Sequence, residues 1–219
     1  MKVLFITDSL GLPRVFPEIE IVNLEETYAQ LVKKKLNKEC FHQISLAGDL
    51  SGKIIDHARA YFVNWQPDYI VIGLGINDAR PKSLNITLQD YFFFSRLLKF
   101  KKFQLIVNWV GSKFFKKPES TTNLNEFSKK LQQLQNSFKN SKIIWLEITC
   151  DKDYEISRPG VLELKEKFNK KLIEVYKNDF IKLKEVFKNE KVYNSDNLHL
   201  NKNGHKIIAN EICKKLGLS

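Results

Sequence analysis

The chain has 219 residues, of which 43% are hydrophobic and 28% are charged, and its formal net charge at pH 7 is +11. This length fits one domain with a full hydrophobic core, and the composition excludes a disordered protein. Apolar runs such as YIVIGLG are far too short to span a bilayer, which excludes a transmembrane protein.

The N-terminal residues MKVLFITDSL contain no charged leader followed by an apolar stretch and a cleavage site. The three cysteines, Cys40, Cys150 and Cys213, are odd in number, widely separated and without metal-ligand spacing. These observations predict a cytoplasmic protein whose thiols are reduced and partly buried.

The positive charge comes from lysines that are spread over the polar faces of predicted helices. No nucleic-acid-binding motif accompanies them. We therefore expect a solvated, lysine-rich surface with no specific nucleic-acid partner and no insertion into a membrane. The charge alone would attract anionic substrates or membrane surfaces.

The first third of the chain alternates between strand and helix patterns. Short β-rich or apolar runs, ended by turn residues, predict strands at 3–7, 41–46 and 69–74. Apolar residues at helical spacing predict helices at 25–36 and 53–64.

Residues 84–117 are rich in Phe, Leu and Lys. Within them, 104–110 has strand propensity, but we interpret the whole stretch as a helical insertion or lid over the core or the cleft. Asn123 and Glu126 then have the spacing of a capping box, which predicts the start of the next helix.

The same alternation continues to the C-terminus. Strands are predicted at 142–148 and 180–183, and helices at 123–139, 161–177 and 203–216. The whole pattern predicts an α/β protein whose parallel sheet of about five strands is covered by helices on both faces. Because no linker or repeat interrupts it, residues 1–219 are predicted to form a single domain.

The loop SDNLHLNKNGH near the C-terminus places Asp196 and His199 three residues apart. A serine hydroxyl is a poor nucleophile until an imidazole takes its proton, and the imidazole needs a carboxylate to orient it and to stabilise its cation. Ser9 follows the first predicted strand, and reactive groups of open parallel sheets gather at the carboxyl ends of strands. We therefore predict that Ser9, His199 and Asp196 form a catalytic triad.

Acyl transfer also needs hydrogen-bond donors aimed at the developing oxyanion. Backbone N–H groups are available at Ser9 and at Gly48, where the missing side chain would let the chain approach closely. Asn77, in a Gly-containing turn, offers a carboxamide. The predicted oxyanion hole is therefore formed by Ser9, Gly48 and Asn77.

Four sequence blocks resemble, in order and spacing, those of the SGNH or GDSL hydrolases. They are TDSL at 7–10, AGD at 47–49, GIND at 75–78 and DNLH at 196–199. The resemblance extends from the first strand to the last helix and implies a flavodoxin-like, three-layer α/β/α sandwich without a metal or other cofactor.

Carried over by position, the resemblance implies the same roles for the same residues. Ser9 is similar to the family's nucleophile, Gly48 and Asn77 to its oxyanion donors, and Asp196 and His199 to the rest of its triad. One position departs from the family, because Thr7 stands where the first block usually has Gly. A β-branched residue resists positive φ and is expected to crowd the oxyanion site or to alter the substrate fit.

The resemblance implies a serine hydrolase that cleaves a carboxylic ester. RPGV at 158–161 is similar to small members of the family found with bacterial glycan-modifying enzymes, which suggests a small O-acyl group, such as acetyl, on a sugar or related metabolite. The same acyl-enzyme resolved by a sugar hydroxyl would give an O-acetyltransferase. A third hypothesis, of another class, is a non-catalytic glycan-binding protein that keeps the fold.

Each of these residues also has a structural explanation. Ser9 and Asp196 could cap turns, Gly48 could be a hinge, Asn77 could be a turn residue and His199 could lie on the surface. Their joint occurrence favours catalysis.

Other polar residues were weighed as metal ligands or cofactor contacts. His205 is expected to pack or to face solvent in the first turn of the last helix, and His42 and His57 have no partners at zinc-ligand spacing. A metal cluster would use Asp8, Asp49 and Asp78, each of which has a competing turn or cap role. Glycosidase chemistry with paired carboxylates would leave the Ser, Asn and His unexplained. We predict no metal site.

Overall fold

A five-stranded parallel sheet forms the centre of the protein. The computed structural model describes residues 1–15, 20–36, 40–82, 118–188 and 190–218. The strands are β1 (Val3–Thr7), β2 (Phe41–Ser45), β3 (Tyr69–Gly73), β4 (Lys142–Leu146) and β5 (Phe180–Ile181), in the order β2-β1-β3-β4-β5. All neighbouring strands pair in parallel, as predicted.

Helices connect the strands and cover the sheet. They are α1 (Tyr28–Lys33), α2 (Ser51–Phe62), α3 (Ile76–Ala79), α4 (Leu124–Ser137), α5 (Tyr154–Ser157), α6 (Val161–Tyr176), α7 (Leu183–Phe187) and α8 (Lys202–Leu216). Short 3-10 turns occur at Ser9–Gly11, Leu24–Glu26, Val63–Trp65 and Lys177–Asp179.

Alternate residues of each strand bury their side chains in two separate cores. Leu4 and Ile6 of β1 point into the core that α2, α4 and α6 share with the sheet, whereas Val3 and Phe5 point into the core shared with α1 and α8. All four side chains are fully buried. This period of two confirms the three-layer α/β/α prediction, because a strand covered on both faces must be apolar on both.

Several predicted elements begin or end at other residues in the structure, and two of them show the local reason. The predicted helix at 25–36 is divided, because Thr27 is extended (ψ 146°) and its Oγ1 donates to Leu24 O at 2.8 Å. The predicted strand at 180–183 ends at Ile181, since Leu183 already begins α7.

Asn123 precedes α4 as predicted, and its side chain accepts a hydrogen bond from Asn125 N at 2.8 Å. Among the described residues, Glu126 makes no return bond to it. The reciprocal capping arrangement occurs instead at Asn23, whose N–H donates to Glu26 Oε2 at 2.8 Å. The same residue types thus cap two different elements.

The remaining predictions about the chain have mixed outcomes. Cys40 is half-buried, Cys150 and Cys213 are buried, and all three are free thiols. The predicted insertion or lid at 84–117 lies outside the described residues. In the parts of the chain that the structure describes, no helix is long and apolar enough to cross a bilayer.

Candidate active site

Three of the five predicted site residues follow adjacent strands at their carboxyl ends. β1 lies between β2 and β3, and Ser9, Gly48 and Asn77 come after β1, β2 and β3 in turn. Loops that follow parallel strands meet at one edge of the sheet, which is where open α/β folds bind ligands. The sheet order therefore puts the segments of Gly48 and Asn77 on either side of the segment that carries Ser9.

Ser9 is presented by a single 3-10 turn at the end of β1. Asp8 N–H donates to Gly73 O at 3.2 Å and so continues the pairing of β1 with β3. Asp8 Oδ1 accepts from Leu10 N at 2.9 Å and caps the turn. Ser9 is half-buried at the start of this turn, so its position is set by the strand and by the Asp8 cap.

Asp8 itself is buried, with 1% of its surface exposed. Burial raises its pKa from 3.8 to about 7; the hydrogen bond from Leu10 lowers it, the charge of Asp78 raises it and that of Arg80 lowers it. A carboxyl group with such a pKa is partly protonated at neutral pH.

Asp196 and His199 lie in a loop that is closed by its own hydrogen bonds. Tyr193 and Leu200 form an antiparallel bridge across it, and Asn194 N–H donates to His199 O at 2.8 Å. Asn197 turns the chain with a positive φ of 60°, a conformation that Asn tolerates better than most residues. The three-residue spacing of Asp196 and His199 is therefore the spacing of a tight turn.

The structure brings Ser9, His199 and Asp196 together as predicted. His199 Nδ1 lies 2.6 Å from Asp196 Oδ2, and His199 Nε2 lies 3.2 Å from Ser9 Oγ. Both distances are within hydrogen-bond reach. One imidazole thus bridges a hydroxyl and a carboxylate that are almost the full length of the chain apart in sequence.

The carboxylate of Asp196 accepts hydrogen bonds at both oxygens. Oδ1 accepts from Leu198 N at 3.1 Å and His199 N at 2.9 Å. Burial alone would raise the pKa of Asp196, but the hydrogen bonds from the His199 side chain and from the two backbone N–H groups outweigh it and hold this pKa well below its ordinary value. Arg14 forms an ion pair with the same carboxylate, and its Nη1 lies 2.7 Å from Oδ2. Asp196 is therefore a fixed anion.

The orientation of the Asn77 carboxamide is unambiguous. Arg80 Nη2 lies 2.8 Å from Asn77 Oδ1, and Asn77 Nδ2 lies 3.1 Å from Asp49 O. A guanidinium can only donate and a carbonyl can only accept, so the amide oxygen and nitrogen cannot be exchanged. Among the described residues, the second N–H of this buried amide has no acceptor.

The two predicted backbone donors are also unoccupied. Neither Ser9 N–H nor Gly48 N–H donates to any described residue. Gly48 also has a backbone role: its φ of +75° is one that residues other than Gly rarely adopt, and a Cβ there would meet no atom of the described residues within 4 Å. The glycine thus permits the turn.

The three acidic residues weighed as metal ligands serve the surrounding structure. Asp78 is buried and accepts from Ser51 N at 2.9 Å, from Ser51 Oγ at 2.6 Å and from Thr122 Oγ1 at 2.7 Å. Asp49 pairs with Lys53 at 2.9 Å, and Asp8 caps the 3-10 turn at Ser9–Gly11. No group of three metal-ligating side chains occurs among the residues that the structure describes.

His205 has a packing role, which agrees with one of the two expectations for it. It is buried, and its Nδ1 accepts from Tyr28 N, the first N–H of α1, at 3.2 Å. Burial lowers the pKa of His205 to about 4, so this histidine is a neutral acceptor.

Thr7 ends β1 in extended pairing and is fully buried. Its Oγ1 forms a hydrogen bond with Ser45 Oγ at 2.6 Å on the neighbouring strand. A Cβ on Gly11 would overlap with the Thr7 side chain, so Gly11 provides the space that Thr7 fills. The β-branched side chain of Thr7 is thus held by internal contacts next to the 3-10 turn that contains Ser9.

A cavity of about 140 Å³ lies beside Ser9 and His199 and is lined in part by Leu12, Pro13 and Arg14. This volume is well below the roughly 300–1,000 Å³ of sites for drug-sized ligands. The cavity suits a small group.

Sequence reasoning missed Arg14, Arg80 and Glu20, whose carboxylate accepts from Ser195 N at 2.9 Å. Their roles depend on contacts made in the folded chain. For Arg14 and Glu20 no spacing rule could find them, because their partners lie near the other end of the sequence.

Solved structures of known enzymes superimpose on nearly the whole chain. A lipase/acylhydrolase from Enterococcus faecalis has a TM-score of 0.65 at 15% identity and covers 98% of this chain and 94% of its own. A psychrotrophic esterase from Pseudoalteromonas sp., inhibited by monoethylphosphonate, has a TM-score of 0.60 at 15% identity, with 99% and 96% covered. An acetylxylan esterase from Geobacillus stearothermophilus has a TM-score of 0.59 at 19% identity, with 99% and 94% covered.

This chain has the SGNH hydrolase fold. No protein-family model and no curated protein matches the sequence. Identities of 15–19% establish the SGNH hydrolase fold alone, and the chemistry depends on the side chains of this chain.

Proposed function

We propose that the protein is a serine hydrolase that cleaves a carboxylic ester through an acyl-enzyme. The observation that carries the proposal is the imidazole of His199, which lies within hydrogen-bond reach of Ser9 Oγ on one side and Asp196 on the other. That arrangement is the minimum needed to activate a serine.

In the first step Ser9 Oγ attacks the acyl carbon of the ester, and His199 Nε2 takes the hydroxyl proton. Asp196, held as an anion, fixes the tautomer with hydrogen on Nδ1 and stabilises the imidazolium that forms. The imidazolium then gives its proton to the departing alcohol oxygen as the bond between that oxygen and the acyl carbon breaks.

The negative charge that develops on the carbonyl oxygen needs donors that are already in place. The N–H groups proposed for this task are those of Ser9 and Gly48 and the second N–H of Asn77, none of which donates to a residue that the structure describes. Arg80 and Asp49 O hold the Asn77 amide in its orientation before substrate arrives, so no reorganisation is needed in the transition state.

In the second step a water molecule takes the place of the alcohol. His199 removes its proton, the hydroxyl oxygen attacks the acyl carbon, and the bond to Ser9 Oγ breaks as the proton returns to that oxygen. The products are a carboxylic acid, an alcohol and the free enzyme.

For the substrate, we infer a short acyl group such as acetyl, carried by a sugar or a related metabolite. The cavity of about 140 Å³ beside Ser9 supports a short chain. The acetylxylan esterases among the structural neighbours act on such esters, as their names state, and support the sugar part by analogy.

The test is intact-mass detection of a fluorophosphonate adduct, combined with hydrolysis of p-nitrophenyl acetate, butyrate and octanoate. Wild type should gain one adduct and hydrolyse acetate fastest, and Ser9→Ala should lose the adduct and several orders of magnitude of turnover. Ser137→Ala is a matched control, because Ser137 ends α4 and its Oγ accepts a hydrogen bond from Arg59 Nε, outside the triad and its loop. An unlabelled wild type would overturn the proposal and favour a non-catalytic glycan-binding protein. An adduct together with faster acyl transfer to a sugar than to water would favour the acetyltransferase.

A further inference from the structure

Arg14 makes a contact that the proposed triad chemistry does not use. Its Nη1 lies 2.7 Å from Asp196 Oδ2, the same oxygen that lies 2.6 Å from His199 Nδ1. One carboxylate oxygen therefore receives both the guanidinium and the imidazole. The side chains of Arg14 and Asp196 are 25% and 31% exposed, so the pair lies at the rim of the site.

The backbone around Arg14 is anchored. Arg14 and Val22 exchange two backbone hydrogen bonds of 2.8 Å, one in each direction, as an isolated antiparallel bridge. From the same stretch, Glu20 accepts from Ser195 N at 2.9 and 3.1 Å and from Ser195 Oγ at 2.9 Å. Arg14 and Glu20 thus bind Asp196 and Ser195, two consecutive residues of the loop that also carries His199.

We propose that Arg14 is a positioning residue that holds the Asp196 carboxylate with Oδ2 directed at His199. The inference rests on the proposed function. A guanidinium suits the task because it is planar, stays protonated at all working pH values and loses little freedom on binding a carboxylate. Arg14, five positions after Ser9 in the chain, thus orients the Asp196 carboxylate. Asp196 in turn orients His199 towards Ser9.

Positioning predicts an effect on rate and not on binding. Arg14→Met keeps the length of the side chain and removes the charge and the donors. We expect its kcat for p-nitrophenyl acetate to fall by up to about a hundredfold, because small misplacements of reacting groups have effects of that size. The KM for this uncharged substrate should be unchanged, and the rate of fluorophosphonate labelling should fall in parallel with kcat.

Two rescues separate positioning from a general loss of structure. Arg14→Lys should recover part of the lost rate. Guanidinium ion at millimolar concentration should raise the kcat of Arg14→Ala but not that of wild type. The matched control is Arg59→Met, which removes another partly exposed arginine–carboxylate pair, with Asp56 on α2, and should keep wild-type kcat.

A spectroscopic readout does not require turnover. The proton between His199 Nδ1 and Asp196 should give a far-downfield proton NMR resonance in wild type, identified by its absence in His199→Gln. In Arg14→Met this resonance should broaden or disappear, while thermal unfolding stays close to wild type.

An unchanged resonance together with unchanged kcat in Arg14→Met would overturn the inference. A raised KM with unchanged kcat would also overturn it, since Arg14 would then contact substrate instead of positioning Asp196. Should Arg14→Met not fold, Arg14→Lys is judged by the same two readouts. If wild type takes no fluorophosphonate adduct, the proposed function fails, whereas the NMR comparison still decides the role of Arg14.

Discussion

Two groups of residues are proposed to act with Ser9, and they are held in different ways. The base side is Asp196 with His199, and the oxyanion side is represented by Asn77. On the base side, Asp196 and His199 are half-buried in a loop that is braced by the charged side chains of Arg14 and Glu20. On the oxyanion side, Asn77 is 5% exposed and its neighbour Asp78 1%, and hydrogen bonds in the interior hold them.

The difference fits the roles proposed for the two groups. An oxyanion donor acts by being in place before the charge develops, which burial and fixed hydrogen bonds provide. A general base must gain and lose a proton in each cycle, and a half-exposed loop allows this. Charged contacts at the rim are weaker and depend on solvent, so the base side is the one that substitutions at the surface can tune.

The largest expected effect comes from breaking the base side. Asp196→Asn keeps the shape of the side chain but can turn an NH2 group towards His199 Nδ1, which selects the wrong tautomer. We expect kcat for p-nitrophenyl acetate to fall by about 10⁴-fold with the fold intact. Asp56→Asn, at an exposed ion pair on α2, is the control and should keep its activity. A decrease of less than tenfold would remove Asp196 from the triad.

A smaller decrease is expected on the oxyanion side. Asn77→Ala removes one donor and should lower kcat by about 10²–10³-fold with little change in KM. Arg80→Met keeps the donor but loses its orientation and should lower kcat less. If Arg80→Met lowered kcat more than Asn77→Ala, Arg80 would act directly on the substrate and not by orienting Asn77.

The smallest effect is on stability. The stability that Asp8 contributes is lost as pH rises, whereas the stability that Asp196 contributes is lost as pH falls. The pKa of Asp8 is raised to about 7 in the folded protein, so this group binds more protons in the folded state than in the unfolded state between about pH 4 and 7. Its contribution to the free energy of unfolding is therefore full below pH 4 and is lost as pH rises through 7. Asp196, whose pKa is lowered, loses its contribution only at much lower pH.

Urea unfolding of wild type and Asp8→Asn between pH 4 and 8 measures this effect. The variant should lose less stability than wild type as pH rises across that window. The pKa of Asp78 is also raised by burial, and its charge raises the pKa of Asp8, so the difference between the two profiles measures Asp8 together with its coupling to Asp78. Parallel pH profiles for the two proteins would show that Asp8 ionises normally in the fold.

The fold was predictable where one local pattern decided the structure. Tyr69 to Gly73 is apolar on both faces and bounded by Pro67-Asp68 and Gly75, so no other element was compatible with it. Thr27 shows where local pattern fails: its apolar neighbours have helical spacing, but its hydroxyl bonds Leu24 O and its backbone is extended.

The candidate site divides in the same way. The proximity of Ser9, Asp196 and His199 was predictable, because turn residues placed each of them in a loop at the carboxyl edge of a parallel sheet. Arg14 and Glu20 were not predictable, because nothing within several residues of either one reveals a contact to residues 195 and 196. The backbone angle of Gly48 was not predicted either, because a φ of +75° follows from how the folded chain turns there.

The contact between Thr7 and Gly11 constrains how this sequence can change over time. With Thr7 in place, any side chain at position 11 would overlap with it, and the three atoms nearest to a Cβ there all belong to Thr7. The effect of a substitution at one position thus depends on the residue already present at the other. Thr7 is therefore one half of an epistatic pair, and a lineage that acquired it would be committed to glycine four residues later.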